Sequence, residues 1–224
     1  LRRGRYSSKG QEGLLQNTQG VAPYTTVKTA GESEIVISKS RFLGYCFPVS
    51  SEAEAVERIA EIKKRHWDAR HVCYAFRLLG GVARSTDDGE PSGTAGAPIL
   101  NVLTQSGLEN VLCAVVRYFG GVLLGTGGLV RAYGKTASEA VAHAGTLSYR
   151  ICRRMRILVS YPSYAVLEPL TKALAYPCEA EFSDTVTLHC TIPVEECERF
   201  CRTVTDKTDG AAKLELLEQT LCAV

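Results

Sequence analysis

Glycine is concentrated in one stretch of this chain, with arginine at both ends: Gly120, Gly121, Gly125, Gly127 and Gly128 lie between Arg117 and Arg131. Glycine allows a ligand to approach the main chain, and the first amides of a helix carry unpaired N–H groups and partial positive charge. A strand, a glycine loop and a helix start in this order offer anion capture. Thr126, Gly127 and Gly128 are expected to present the amides, with Arg131 on the first exposed turn and Arg117 at the strand end. A tight loop whose glycines serve only close packing explains the same residues equally well. Two nucleotide motifs are excluded. Gly128 to Thr136 has one residue too many between its glycines for a phosphate-binding P-loop, and its Lys135 falls inside a helix. Gly125-Thr126-Gly127 lacks the third glycine of a dinucleotide fingerprint, because position 130 is Val.

A second candidate is Asp87, Asp88 and Glu90, carboxylates that suit Mg²⁺ or acid–base work but also suit a solvated Asp-Gly turn. Arg70, His71, Arg77 and Arg84 read either as a polynucleotide groove, with Tyr118 as a stacking platform, or as ordinary exposed strand faces. No Ser/His/Asp or Cys/His arrangement stands out, so no catalytic residue is assigned. Cys197 and Cys201 are one helical turn apart near His189 and Cys190, but structural zinc usually uses tighter ligand pairs. No metal or cofactor is expected.

Composition narrows the class. The net charge of +2 comes from Arg2, Arg3, Arg5 and Lys9 near the start, which outweigh Glu12. Without them the rest is near neutrality, so no broad nucleic-acid footprint exists, only room for a local patch. The 9 cysteines, without a Cys-x-x-Cys pair, read as reduced thiols in a cytoplasmic protein, with Cys46, Cys73, Cys113 and Cys190 in the core. No apolar run approaches the ~18 residues of a membrane span.

The elements that must hold these residues follow from periodicity. Residues 1–22 lack it and read as a disordered tail. Strands are expected at 35–37 and 42–47. Ser51 and Glu54 then open a helix with Ala55, Val56, Ile59 and Ile62 as its buried stripe. Strands at 71–79 and 82–86 turn at Gly80-Gly81. A helix follows with Thr94 as cap and Pro98 in its first turn. Val111–Tyr118 is apolar on both faces until Arg117, hence an interior strand, and a helix spans 128–144. The arginines at 150, 153, 154 and 156 mark a junction near 147–155. Beyond it the order is strand (157–161), helix (163–174), strands (178–183, 185–192), helix (194–207) and strand (211–218). This βαββαβ succession is the ferredoxin-like pattern.

Arg117-Tyr118-Phe119-Gly120-Gly121, Leu124-Gly125, and Gly127-Gly128-Leu129-Val130-Arg131-Ala132-Tyr133 resemble the signature of the YigZ/IMPACT family, in its bacterial form. Asp88-Gly89-Glu90-Pro91-Ser92-Gly93-Thr94-Ala95-Gly96 and Lys39-Ser40-Arg41-Phe42 agree with it. The resemblance covers about residues 24–220. It implies an α+β protein of two domains, residues 23–150 and 151–224. The first would be like the second domain of the small-subunit ribosomal protein five. The second would be a ferredoxin-like domain like the fifth domain of elongation factor G. Ala97 stands where many relatives carry a basic residue. Eukaryotic relatives regulate translation initiation through a kinase-activating protein, using a domain outside this resemblance. Some bacterial members carry a proline-dipeptidase label, which the scattered histidines do not support. The reading is therefore a non-catalytic protein binding RNA or the ribosome, with a protein partner in translation possible. A metal-dependent enzyme acting on a phosphorylated small molecule is the alternative.

Overall fold

The computed structural model describes residues 22–174 and 176–224, so the expected tail lies outside them except for residue 22. The chain divides into two units, Tyr24–Ser148 and Tyr149–Val224.

The first unit is built on β2 (Gly31–Ile37), β3 (Ser40–Pro48), β4 (His71–Leu78), β5 (Val82–Thr86) and β6 (Val111–Tyr118). These strands form an antiparallel sheet in the order β2-β3-β6-β4-β5. Helix α1 (Glu52–Arg65) places Ala55, Ile59 and Ile62 in the cores of one face, which hold Tyr45, Val72, Phe76 and Leu112. Helices α2 (Gly96–Gln105) and α3 (Gly125–Ala144) cover the other face, over Phe42, Cys73, Ala75 and Val115. Because both faces are covered, β6 is apolar as far as Val116 and central, as its sequence implies. Val56 is 55% exposed, because α1 meets the sheet with a stripe narrower than expected. The Ser51 hydroxyl accepts from the Glu54 amide at 3.2 Å, while the Glu54 carboxylate accepts from the Ser50 amide and hydroxyl.

The second unit follows the βαββαβ succession: most of β7 (Thr146–Val159), α4 (Tyr161–Lys172), β8 (Cys178–Phe182), β9 (Val186–Pro193), α5 (Val194–Lys207) and β10 (Lys213–Ala223). Its antiparallel strands lie in the order β10-β7-β9-β8, while β1 (Tyr24–Val27), which the sequence reading missed, belongs to the first unit. Met155, Ile157, Leu188 and Ile192 share a core with Leu167 of α4 and Phe200 of α5.

The two units divide inside the expected junction, after Ser148. The arginine-rich segment is itself strand β7: exposed Arg154 and Arg156 alternate with buried Met155 and Ile157, a period of two that the density of arginine hides. One expectation is corrected here. Cys178 and Cys190 form a disulfide, because the β8–β9 register sets them directly opposite each other. Among the described residues, no helix is long and apolar enough to cross a membrane.

Candidate functional site

The loops joining the first unit's strands gather at one end of its sheet: the β2–β3 turn, the α1–β4 link, the β5–α2 loop and the β6–α3 loop. The register sets Phe42, Arg117 and His71 in one cross-strand row at this end, on the face covered by α3. Arg117 is only 5% exposed, so it does not present a cation to solvent as expected. Its Nη1 donates to Glu90 Oε1 at 2.6 Å, and the Tyr133 hydroxyl of α3 donates to the same oxygen at 2.7 Å. Arg117 Nη2 reaches the Ser40 hydroxyl at 3.4 Å, and that hydroxyl also accepts from the Gly120 amide at 3.1 Å. A buried cation and carboxylate are tolerable only when paired in this way.

Glu90 is therefore the tie between the acidic loop and the glycine loop. His71 Nδ1 lies 2.8 Å from the Asp88 carbonyl, which can only accept, so Nδ1 carries the proton. Nε2 then faces Glu90 Oε1 at 3.9 Å. Burial pushes the Cys73 thiol up to about 12, outweighing its hydrogen bond with Tyr133, so no thiolate nucleophile is available there. Burial likewise drives the Tyr133 hydroxyl far above its ordinary range.

The other two carboxylates are engaged as well. Asp87 accepts from the amides of Gly93 (2.8 Å), Ala95 (3.0 Å) and Gly96 (2.8 Å), and so caps α2. Thr94, the expected cap, instead donates to the Pro91 carbonyl. Burial alone would raise the Asp87 pKa, but the three amides outweigh it and hold the carboxyl below its usual range. Asp88 accepts from the Val72 amide at 2.7 Å and pairs with Lys63 at 3.3 Å. Asp87, Asp88 and Glu90 thus brace different elements and do not converge on one point. Among the described residues no group of three or more His, Cys, Asp or Glu side chains is arranged to hold a metal ion.

The expected groove does not assemble. Arg77 pairs with Glu109, and Arg84 pairs with Glu52 at 3.1 Å. Tyr118 points to the opposite sheet face from Arg117. Its hydroxyl donates to Asp68 at 3.1 Å and meets His66 Nδ1 at 3.0 Å. Gly120 is a packing residue, since a Cβ there would lie 2.0 Å from the Lys39 backbone carbon.

What remains open is the start of α3. The helix begins at Gly125, not at 128, so Gly128 already lies within the helical hydrogen-bond pattern and the free amides are those of Gly125, Thr126 and Gly127. Among the described residues no side chain caps them, and no acid lies in the first turn. Leu124 is right-handed (φ −89°) and Gly125 left-handed (φ +67°), a pairing that turns successive amides toward one side and that only glycine adopts readily. The exposed Arg131 sits over this turn, its Nη1 3.7 Å from where a Gly127 Cβ would be. Gly121 (φ +83°) is open to solvent nearby. Lys39, at the β2–β3 turn, is exposed and its backbone packs on Gly120. Lys39, Arg70 and Arg131 have no ion-pair partner among the described residues. Sequence reasoning missed Lys39, Ser40 and Phe119 as parts of this end, although all three lie inside the motifs it quoted.

The Impact N-terminal domain matches residues 38–141, which contain all of these loops, and a domain of unknown function (DUF1949) matches residues 159–211. The chain is 41% identical over 201 residues to the IMPACT family member YvyE of Bacillus subtilis, covering 88% of this chain and 92% of that protein. The chain belongs to the IMPACT family. It is also similar to the IMPACT family member YigZ of Escherichia coli, at 32% identity over 88% of this chain and 96% of that protein. With the IMPACT homolog of Saccharomyces cerevisiae, identity is 34% over 47% of this chain and 43% of that protein. A crystal structure of a hypothetical protein has a TM-score of 0.56 and 29% identity, covering 88% of this chain and 98% of that one. In this IMPACT family chain, the two longest motif segments meet through the Glu90–Arg117–Tyr133 contacts.

Proposed function

We propose that this IMPACT family protein is a non-catalytic binder of RNA or the ribosome that acts in the cytoplasm, in translation or its regulation. The observation that carries this reading is the open start of α3: uncapped, free of acids and overlain by Arg131. The same sheet end adds Lys39 and Arg70 as exposed cations, while Asp68, Asp87, Asp88 and Glu90 are all engaged. The domains would run over residues 23–150 and 151–224. The first would be like the second domain of the small-subunit ribosomal protein five. The second would be a ferredoxin-like domain like the fifth domain of elongation factor G, a likeness supported by the strand order β10-β7-β9-β8. Metal-dependent chemistry on a phosphorylated small molecule has less support, since its three carboxylates already serve the fold.

The test is RNA filter binding and ribosome co-sedimentation across a salt series. With about three phosphate contacts on a single strand, log affinity should fall with log salt at a slope of about −2. Charge reversal of Lys39 or Arg131 should weaken binding more than reversal of Lys64 on α1. Equal effects, or a flat salt response, would remove the site.

A further inference from the structure

The guanidinium of Arg117 lies over two aromatic rings, 5.4 Å from the centroid of Phe42 and 5.5 Å from that of Phe119. Phe42 is fully buried; Phe119 is 43% exposed. The arginine therefore links a core ring to a surface ring. Its Nη1 is committed to Glu90 and its Nη2 faces Ser40, so it offers little charge outward. What it supplies is a fixed support for Phe119, braced in turn by Tyr133 through Glu90. An exposed aromatic held in this way loses little freedom when a planar group stacks on it. The loop leading from Phe119 runs directly to the free amides of α3, past Val122 and Leu123, which is 87% exposed. A stacking surface, backbone donors and the cations Lys39 and Arg131 thus share one loop system, while Asp87, Asp88 and Glu90 are held by the fold.

We infer that Phe119 is a stacking platform for an unpaired nucleobase, and that the RNA recognised is single-stranded. This rests on the RNA reading above and narrows it. A duplex hides its base faces in the stack, and its narrow, deep major groove excludes the side chains that would follow. A single strand offers a free base face and a flexible phosphate to the same loop. Stacking of this kind tolerates any base, so the preference concerns strandedness and not sequence.

The experiment uses the full chain with an RNA oligonucleotide carrying 2-aminopurine, as a single strand and annealed to its complement. The single strand should bind more tightly, and its fluorescence should be quenched on binding. Phe119→Leu should weaken single-strand binding about tenfold, equivalent to about 1.4 kcal/mol, and abolish the quench, whereas Phe119→Tyr should retain both. Circular dichroism should show both variants folded, as expected for a half-exposed side chain. Equal binding of single strand and duplex, unchanged in Phe119→Leu but weakened in Arg131→Ala, would overturn the platform and leave the RNA reading standing. Absence of any salt-dependent RNA binding would overturn both.

Discussion

The two units treat the same ion pair in opposite ways. In the second unit, Arg156 and Glu215 face each other across β7 and β10 with half of each side chain in solvent, and Arg154 pairs with Glu218 on the same strands. In the first unit, Arg117 and Glu90 form one pair sealed beneath α3, with side chains 6% and 3% exposed. Arg154 and Arg156 of the arginine-dense stretch are thus neutralised, because β10 lays a carboxylate beside each of them. At the first unit's loop end Lys39, Arg70 and Arg131 are exposed and have no ion-pair partner among the described residues. Local density of a residue type is a poor guide to surface potential when a distant strand supplies the counter-charge.

The largest effect should come from breaking the sealed pair. Glu90→Ala leaves a buried guanidinium unpaired and should cost about 3–5 kcal/mol in denaturant unfolding, whereas Glu215→Ala should stay within about 1 kcal/mol. Replacing both partners, as in Glu90→Gln with Arg117→Met, should recover part of the loss. If the two single variants proved equally mild, the contrast between the units would fail.

Next in size is the helix cap. Asp87→Ala should cost about 1–2 kcal/mol, as loss of a strong cap does. Because the folded Asp87 pKa is lowered, its stabilisation is present above the ordinary carboxylate range and is lost as pH falls through the folded value. Acid unfolding below about pH 4 should therefore be less steep in Asp87→Asn than in the parent. An unchanged acid limb would mean that the cap's charge contributes nothing.

Smaller effects on stability separate binding from folding. Arg131→Ala should leave stability within about 0.5 kcal/mol, since the side chain is exposed, while reducing the magnitude of the salt slope of RNA binding by about 1. Gly127→Ala should be milder, because Gly127 is not left-handed and the space over it is limited only by Arg131. Arg156→Ala should change neither stability nor binding measurably. RNA binding that depended on Arg156 more than on Arg131 would move the functional surface to the second unit.

Most of the elements were legible because their signals are local. The Ser51 cap, the α1 stripe apart from Val56, the apolar run of β6 and the bounds of α5 all follow from residues close in sequence. The site was legible as a set of motifs but not as an arrangement. Arg117 read as a ligand contact and proved a buried brace. Asp87 read as a metal ligand or turn residue and proved the cap of a helix that starts nine positions later. Tyr118 read as the platform, yet strand alternation sends it to the face opposite Arg117 and leaves Phe119 beside the guanidinium.

By itself the sequence determined the order of strands and helices from β2 onward, that β6 would be interior, and that a glycine loop would lead into a helix. Periodicity, capping and glycine's backbone freedom act within a few residues and need no distant partner. Only the tertiary structure decided which charged groups are spent on the fold and which remain for a ligand. That choice depends on desolvation and on partners far apart in the chain: Glu90 with Arg117, Arg156 with Glu215, and Lys39 packed on Gly120. Burial makes one arginine a structural strut, solvent and a cross-strand carboxylate neutralise another, and the absence of either leaves Arg131 free.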